Sequence, residues 1–190
     1  MVDLWNATAK TSPLFCDYAR VLLLTAQRAG EVAGMRWCDL DFERAYWTIP
    51  AELVKSRRTH VVPLSRQALA IIADRPRFEG CDFVFSARGA HGFTTLNKLK
   101  RALDGKMAFG DWRLHDLRRT AATGMSRLGV SFEVVGKVLG HSQAGVTAVY
   151  QRYGHEAEKR AALQAWADHL DRIAAGVTNV VPIRGTEAVA

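Results

Sequence analysis

Apolar residues recur at helical spacing along most of this chain, and the pattern changes character between about residues 44 and 64. Ser12-Pro13 reads as an N-cap followed by the first helical position. Leu14, Tyr18, Val21, Leu22 and Thr25 follow on one face, which is therefore core. Gly30 and Gly34 interrupt, leaving a short helix or turn from Glu31 to Trp37. Where the pattern changes, Tyr46-Trp47-Thr48-Ile49 and Thr59-His60-Val61-Val62 are rich in β-branched and aromatic residues. They predict a small antiparallel sheet whose turn is the basic run Lys55-Ser56-Arg57-Arg58. Pro63 ends its strand or places it at an edge. Ser65 caps a helix through about Asp74, which Pro76 terminates, and Phe83-Val84-Phe85 is a short extended piece. Helices are further predicted over 94–104, 115–128, 131–139, 143–152 and 155–174, the last with Leu163, Trp166, Leu170 and Ile173 on one face.

The expected architecture is mainly α, of the α+β class, with helices around one small antiparallel sheet. Residues 1–11 read as a lead-in segment, 12–175 as one domain and 176–190 as a mobile C-terminal tail. No internal repeat and no Pro/Gly/Ser linker divides the chain.

Charge narrows the choice of partners. A formal net charge of +7 on 190 residues favours polyanions, nucleic acid before acidic membrane. No stretch reaches the length of a membrane span and no signal peptide opens the chain, so the expected location is cytoplasmic, with no membrane partner. Cys16, Cys38 and Cys81 form no C-x-x-C pair, which argues against a disulfide framework or a zinc site. All three are expected to be small buried apolar residues. No H-E-x-x-H, carboxylate cluster or phosphate-binding glycine loop appears, so no metal, nucleotide or other cofactor is expected.

Six separated polar residues, Arg28, Lys55, His115, Arg118, His141 and Tyr150, fit the needs of one reaction, attack of a phenolic oxygen on a phosphodiester. A phosphodiester repels nucleophiles, so catalysis must neutralise the charge that builds on phosphorus. Arg28 and Arg118 suit this, because guanidiniums stay protonated and donate in pairs to non-bridging oxygens. His115 and Arg118 are three residues apart, so on a helix they share a face and both can reach one phosphate. Tyr150 is the candidate nucleophile and needs a base, for which His115 is placed. Lys55 can protonate the leaving 5′-oxygen, and His141 can donate to a non-bridging oxygen. Lys55, Arg57, Arg58 and His60 on the hairpin, together with Arg119, are candidate contacts to the DNA backbone. Glu31 supports Arg28 as an i,i+3 partner. Each segment taken alone has a plainer reading: a surface H-x-x-R pair, an ordinary ion pair, a basic turn, a histidine at a helix C-terminus.

In combination they resemble the catalytic domain of the tyrosine recombinases, in the phage and genomic-island integrase branch, over roughly residues 12–172. The resemblance rests on Thr25–Glu31 with Met35-Arg36-Trp37, Lys55 with Val62-Pro63-Leu64-Ser65, His115–Thr120, Leu139–Ser142, and Val149-Tyr150-Gln151-Arg152-Tyr153. The interval from His141 to Tyr150 selects Tyr150 over Tyr153. The resemblance implies cofactor-free cleavage of double-stranded DNA through a 3′-phosphotyrosyl link, strand exchange through a four-way junction, and a homo-tetramer on paired sites. It also makes the Leu163/Trp166/Leu170/Ile173 stripe a candidate for docking on a neighbouring protomer, with packing on its own domain as the alternative. The family usually carries Gly where this chain has Ala26, and alanine, being small, is expected to do little harm. Family members also carry N-terminal core-binding domains. About a dozen residues precede the domain here, so the core-binding domain is expected to be absent and DNA affinity to be reduced.

Two competing readings remain. A DNA-binding module without chemistry, a truncated remnant of an integrase, would use residues 131–150 as a helix-turn-helix. A metal-dependent nuclease would lose activity with a chelator.

Overall fold

The computed structural model describes residues 2–54, 56–108, 110–141 and 155–176. Helix α2, Pro13–Thr25, lies at the centre and packs against helices on several sides. Ser12 accepts from the Phe15 amide at 3.4 Å, and Pro13 fills the first turn, where its missing N–H costs nothing. Tyr18, Val21 and Leu22 are buried as their spacing requires, and Leu23 and Leu24 on the opposite side are buried too. A helix buried on most of its sides belongs in the middle of a fold.

The segment expected as a lead-in is instead a helix, α1, Val2–Ala9. It places Leu4 and Ala7 in the common core and packs against α2. Eight residues are too few to be helical alone, so tertiary burial makes this helix, and local sequence gives little sign of it.

After α3, Ala29–Ala33, and a 3-10 turn, Trp37–Asp39, comes the sheet. Its strands are β1, Leu40–Asp41, β2, Tyr46–Ile49, and β3, His60–Pro63, antiparallel in the order β1-β2-β3. Trp47 pairs with Val62 and Ile49 with His60, which sends Trp47, Ile49 and Val62 into the core and leaves Thr48 exposed. The predicted hairpin is present; the two-residue β1 carries no sequence signal of its own. The extended piece at 83–85 forms an isolated bridge, Arg36 to Phe83, rather than a strand.

The remaining helices are α4, Arg66–Ala73, α5, Leu96–Asp104, α6, Leu114–Arg127, α7, Phe132–Val138, and α8, Glu156–Ala174. They match the predicted spans to within a few residues. The helix expected at 143–152 and the tail after Gly176 lie outside the described residues. Leu163, Trp166 and Leu170 pack into the chain's own core, while Ile173 is half-buried. Trp166 donates to the Leu23 carbonyl at 3.0 Å. A Cβ at Gly124 would stand 2.1 Å from the Trp166 ring, so this approach of α6 to α8 requires glycine.

Of the cysteines expected to be buried, only Cys81 is; Cys16 is half-buried and Cys38 exposed. Cys38 lies on the short turn before the sheet, where no apolar layer covers it. No helix among the described residues is long and apolar enough to cross a membrane.

Candidate active site

The site is built where three chain segments meet, one of them the C-terminus of α7. The first follows α2. Ala26 adopts the left-handed conformation at φ 56°, fully buried, and turns the chain so that Arg28 becomes the N-cap of α3. The requirement at position 26 is thus a positive φ rather than small size. An alanine meets it at a cost of roughly 1–2 kcal/mol of backbone strain that glycine avoids. Glu31, only 3% exposed, folds back on this turn. One carboxylate oxygen accepts from the Arg28 amide at 2.8 Å and the other from Arg28 Nη1 at 2.7 Å. That double hold fixes a guanidinium whose side chain remains 32% exposed.

The second segment is α6. Its first turn is closed by Asp116, which accepts from the Arg113 amide at 2.8 Å. One turn further on, Arg118 is 4% exposed. Its Nη1 donates to the Ala26 carbonyl at 3.0 Å and to Gln27 Oε1 at 3.5 Å, and its Nη2 donates to the Leu139 carbonyl. A guanidinium has five N–H donors in a fixed fork, so Nε and one Nη2 hydrogen have no partner among the described residues and suit an anion.

The third segment is the end of α7 itself. The His141 amide reaches the Gly136 carbonyl at 2.9 Å and the Gly140 amide the Lys137 carbonyl at 3.1 Å, with Gly140 at φ 66°. This is the pair of bonds that closes a helix through a left-handed glycine. A Cβ at Gly140 would also stand 3.2 Å from the His60 ring. The Val138 carbonyl accepts from Gln27 Nε2 at 2.9 Å and lies 3.0 Å from His60 Nε2, which therefore carries a proton. Helix ends leave carbonyls without partners. Here Gln27, His60 and Arg118, from three distant parts of the chain, satisfy those of α7, and so set the position of His141.

Electrostatics follow from this geometry. Burial, the Arg28 charge close by and a partial offset from Glu31 bring Arg118 down to about 10, still charged at neutral pH. Burial and then the charges of Arg118 and Arg28 lower His141, so its imidazole is neutral at pH 7 and donates through one nitrogen. His60 is lowered by burial above all, against the opposing Val138 carbonyl and Glu31. Two guanidiniums facing one buried carboxylate leave an excess of positive charge, and an anion is the natural occupant.

The structure therefore brings Arg28, Glu31, Arg118 and His141 together. His115 is exposed on the first turn of α6, and among the described residues no hydrogen bond or ion pair joins it to the other candidates. Arg119 points outward and pairs with Asp116 at 3.4 Å, away from this cluster. Arg57 and Arg58 are exposed on the hairpin turn, Arg57 at φ 53°. His60, expected on the DNA-facing side of the hairpin, spends its Nε2 on α7 instead. Lys55 and Tyr150 lie outside the described residues. The sequence reading missed Gln27, fully buried between the Thr25 and Val138 carbonyls. A lone amide in an apolar run, directly before a candidate arginine, was the available signal.

Comparison with known proteins gives the family and the fold. Residues 6–160 match the phage integrase family. The chain is 35% identical over 166 residues to the prophage integrase IntZ of Escherichia coli K12, covering 84% of this chain and 40% of that protein. It is 30% identical over 173 residues to the integrase of Enterobacteria phage P4, covering 80% and 39%. This chain thus spans about two fifths of the length of these relatives. In fold it is similar to the integrase of mycobacterium phage Brujita, with a TM-score of 0.63 at 18% identity over 88% of this chain and 58% of that one. A lambda integrase tetramer bound to a Holliday junction gives 0.59 at 19% identity over 74% and 44%. The helix-rich domain with its three-stranded antiparallel sheet is the tyrosine recombinase catalytic fold, and the chain belongs to the phage integrase family.

Proposed function

We propose that this domain cleaves and rejoins double-stranded DNA through a 3′-phosphotyrosyl intermediate at Tyr150, as the catalytic part of a site-specific recombinase. The observation that carries the reading is the convergence of Arg28, Arg118 and His141 on one corner, immediately before the residues that lead to Tyr150. In the proposed mechanism the two guanidiniums bind the non-bridging oxygens of the scissile phosphate, and neutral His141 donates a further hydrogen bond. Tyr150 attacks phosphorus while His115 takes the phenolic proton, and Lys55 protonates the departing 5′-oxygen. The phosphodiester energy is kept in the protein–DNA bond and returned when a second 5′-hydroxyl attacks. No metal or cofactor takes part. Arg57, Arg58 and Arg119 contact the backbone, and four copies act on paired sites.

The test is incubation with duplexes bearing a bridging phosphorothiolate, drawn from the DNA that flanks the gene, followed by a denaturing gel. The unaltered chain and Tyr153→Phe are expected to form a covalent adduct, and Tyr150→Phe to bind without forming one. An adduct that survives Tyr150→Phe would contradict the assignment. The competing reading, a DNA-binding module without chemistry, predicts binding and no adduct for all three proteins.

A further inference from the structure

Lys159 on α8 is 7% exposed, an unusual position for an ammonium, which is rarely so buried unless paired. Among the described residues its hydrogen-bond partner is the Val61 carbonyl, which accepts from Nζ at 2.8 Å. No carboxylate among them lies within ion-pair distance. Glu156, one turn earlier, is near enough to act on its charge, but accepts from the Tyr46 hydroxyl at 3.2 Å. An ammonium carries three donors, so two have no partner among the described residues. Lys159 lines a groove of about 280 Å³ that runs from Arg58 on the hairpin past His60 and Glu156 to Gly140 and His141. One end of this groove is thus a member of the candidate active site and the other a basic surface turn.

We infer that Lys159 is a phosphate-binding residue, taking a non-bridging oxygen of a DNA backbone phosphate that lies in this groove beside the scissile one. The inference rests on the DNA reading given above. A lysine desolvated by the fold, with no ion-pair partner among the described residues, has that cost offset when a phosphodiester supplies the opposite charge. Burial, with a contribution from Lys137, lowers its proton affinity, and an anion would restore it. The Val61 bond holds the ammonium in place at the free edge of β3, so little side-chain freedom is lost when phosphate arrives.

The experiment is the affinity of the full chain for a fluorescent duplex of random sequence, of about 20 base pairs, between about 50 and 200 mM salt. For Lys159→Met the slope of log affinity against log salt is expected to fall by about 0.9, the release of one counter-ion, with Lys159→Arg keeping the slope of the unaltered chain. A Lys159→Met protein that is less stable but has an unchanged slope would overturn the inference, because a purely structural lysine does not alter ion release. Should Lys159→Met fail to fold, the Lys159 Nζ resonance of the unaltered chain decides. It is expected to move when the duplex is added at low salt, and no movement would refute the contact. If the unaltered chain has no salt-dependent affinity for duplex DNA, the DNA reading itself fails, a result distinct from either.

Discussion

The corner at the end of α7 and the tip of the β2–β3 hairpin both carry cations picked out by sequence, and they hold them in opposite ways. At the corner every candidate side chain is tied. Arg28 is gripped twice by Glu31, Arg118 is spread over the Ala26 and Leu139 carbonyls, and His141 is fixed by a helix-closing turn. On the hairpin, Arg57 and Arg58 are exposed, and no hydrogen bond or ion pair to another described residue restrains their guanidiniums. The difference teaches what each region is fit to do. Stabilising charge that develops during a reaction needs donors placed in advance, so that no reorganisation is required. Following a DNA backbone needs only positive charge within reach, and flexible side chains serve.

The comparison breaks most severely at Arg118. Arg118→Ala leaves the Ala26 and Leu139 carbonyls buried without their donor, and a loss of about 2–5 kcal/mol is expected in chemical denaturation. Adduct formation should fall by at least about 10²- to 10³-fold. Gln27→Leu, which touches no proposed reacting atom, is expected to cost about 1–3 kcal/mol by the same measurement, since it strips donors from the Thr25 and Val138 carbonyls. Gly140→Ala meets both a positive φ and the His60 ring, and an effect of roughly 1–2 kcal/mol is expected.

Acidity sharpens the same contrast. His60 and His141 have lowered proton affinities in the folded chain, so between those values and the ordinary value of about 6.5 the unfolded chain binds more protons. Their contribution is complete above about pH 6.5 and is lost as pH falls through the folded values. Thermal melts are expected to move down on acidification, and His60→Gln to flatten that dependence. The smallest effect on stability is expected at the hairpin. Arg57→Ala and Arg58→Ala should change it by no more than about 0.5 kcal/mol, yet each should lower the salt slope of DNA binding by about 1.

What sequence could reveal followed the range of the interaction. Helix α2 and the β2–β3 hairpin were legible because capping, period and turn chemistry act over a few residues. Arg28 with Glu31 was legible for the same reason, since the bond spans three positions. Arg118 was legible as a residue but not as a clamp, because its acceptors are backbone carbonyls on segments far from α6, and carbonyls leave no trace in side-chain identity. Gln27 was passed over, and His60 was read as a DNA contact instead of a partner of α7, for that reason. Lys159 did leave a sign. It lies on the same helical face as Leu163, Trp166 and Leu170, where a cation among apolar neighbours is out of place. Helix α1 left almost none, being too short to declare itself before its partners are in place.

The account depends on Arg28, Arg118 and His141 serving a single anion. Titrating the chain with inorganic phosphate while following both guanidinium signals and the His141 ring by NMR tests this directly. The expected result is that all three move together on one saturation curve, with Arg57 and Arg58 following a weaker one. Separate curves for Arg28 and Arg118, or an Arg118 signal that never moves, would contradict it.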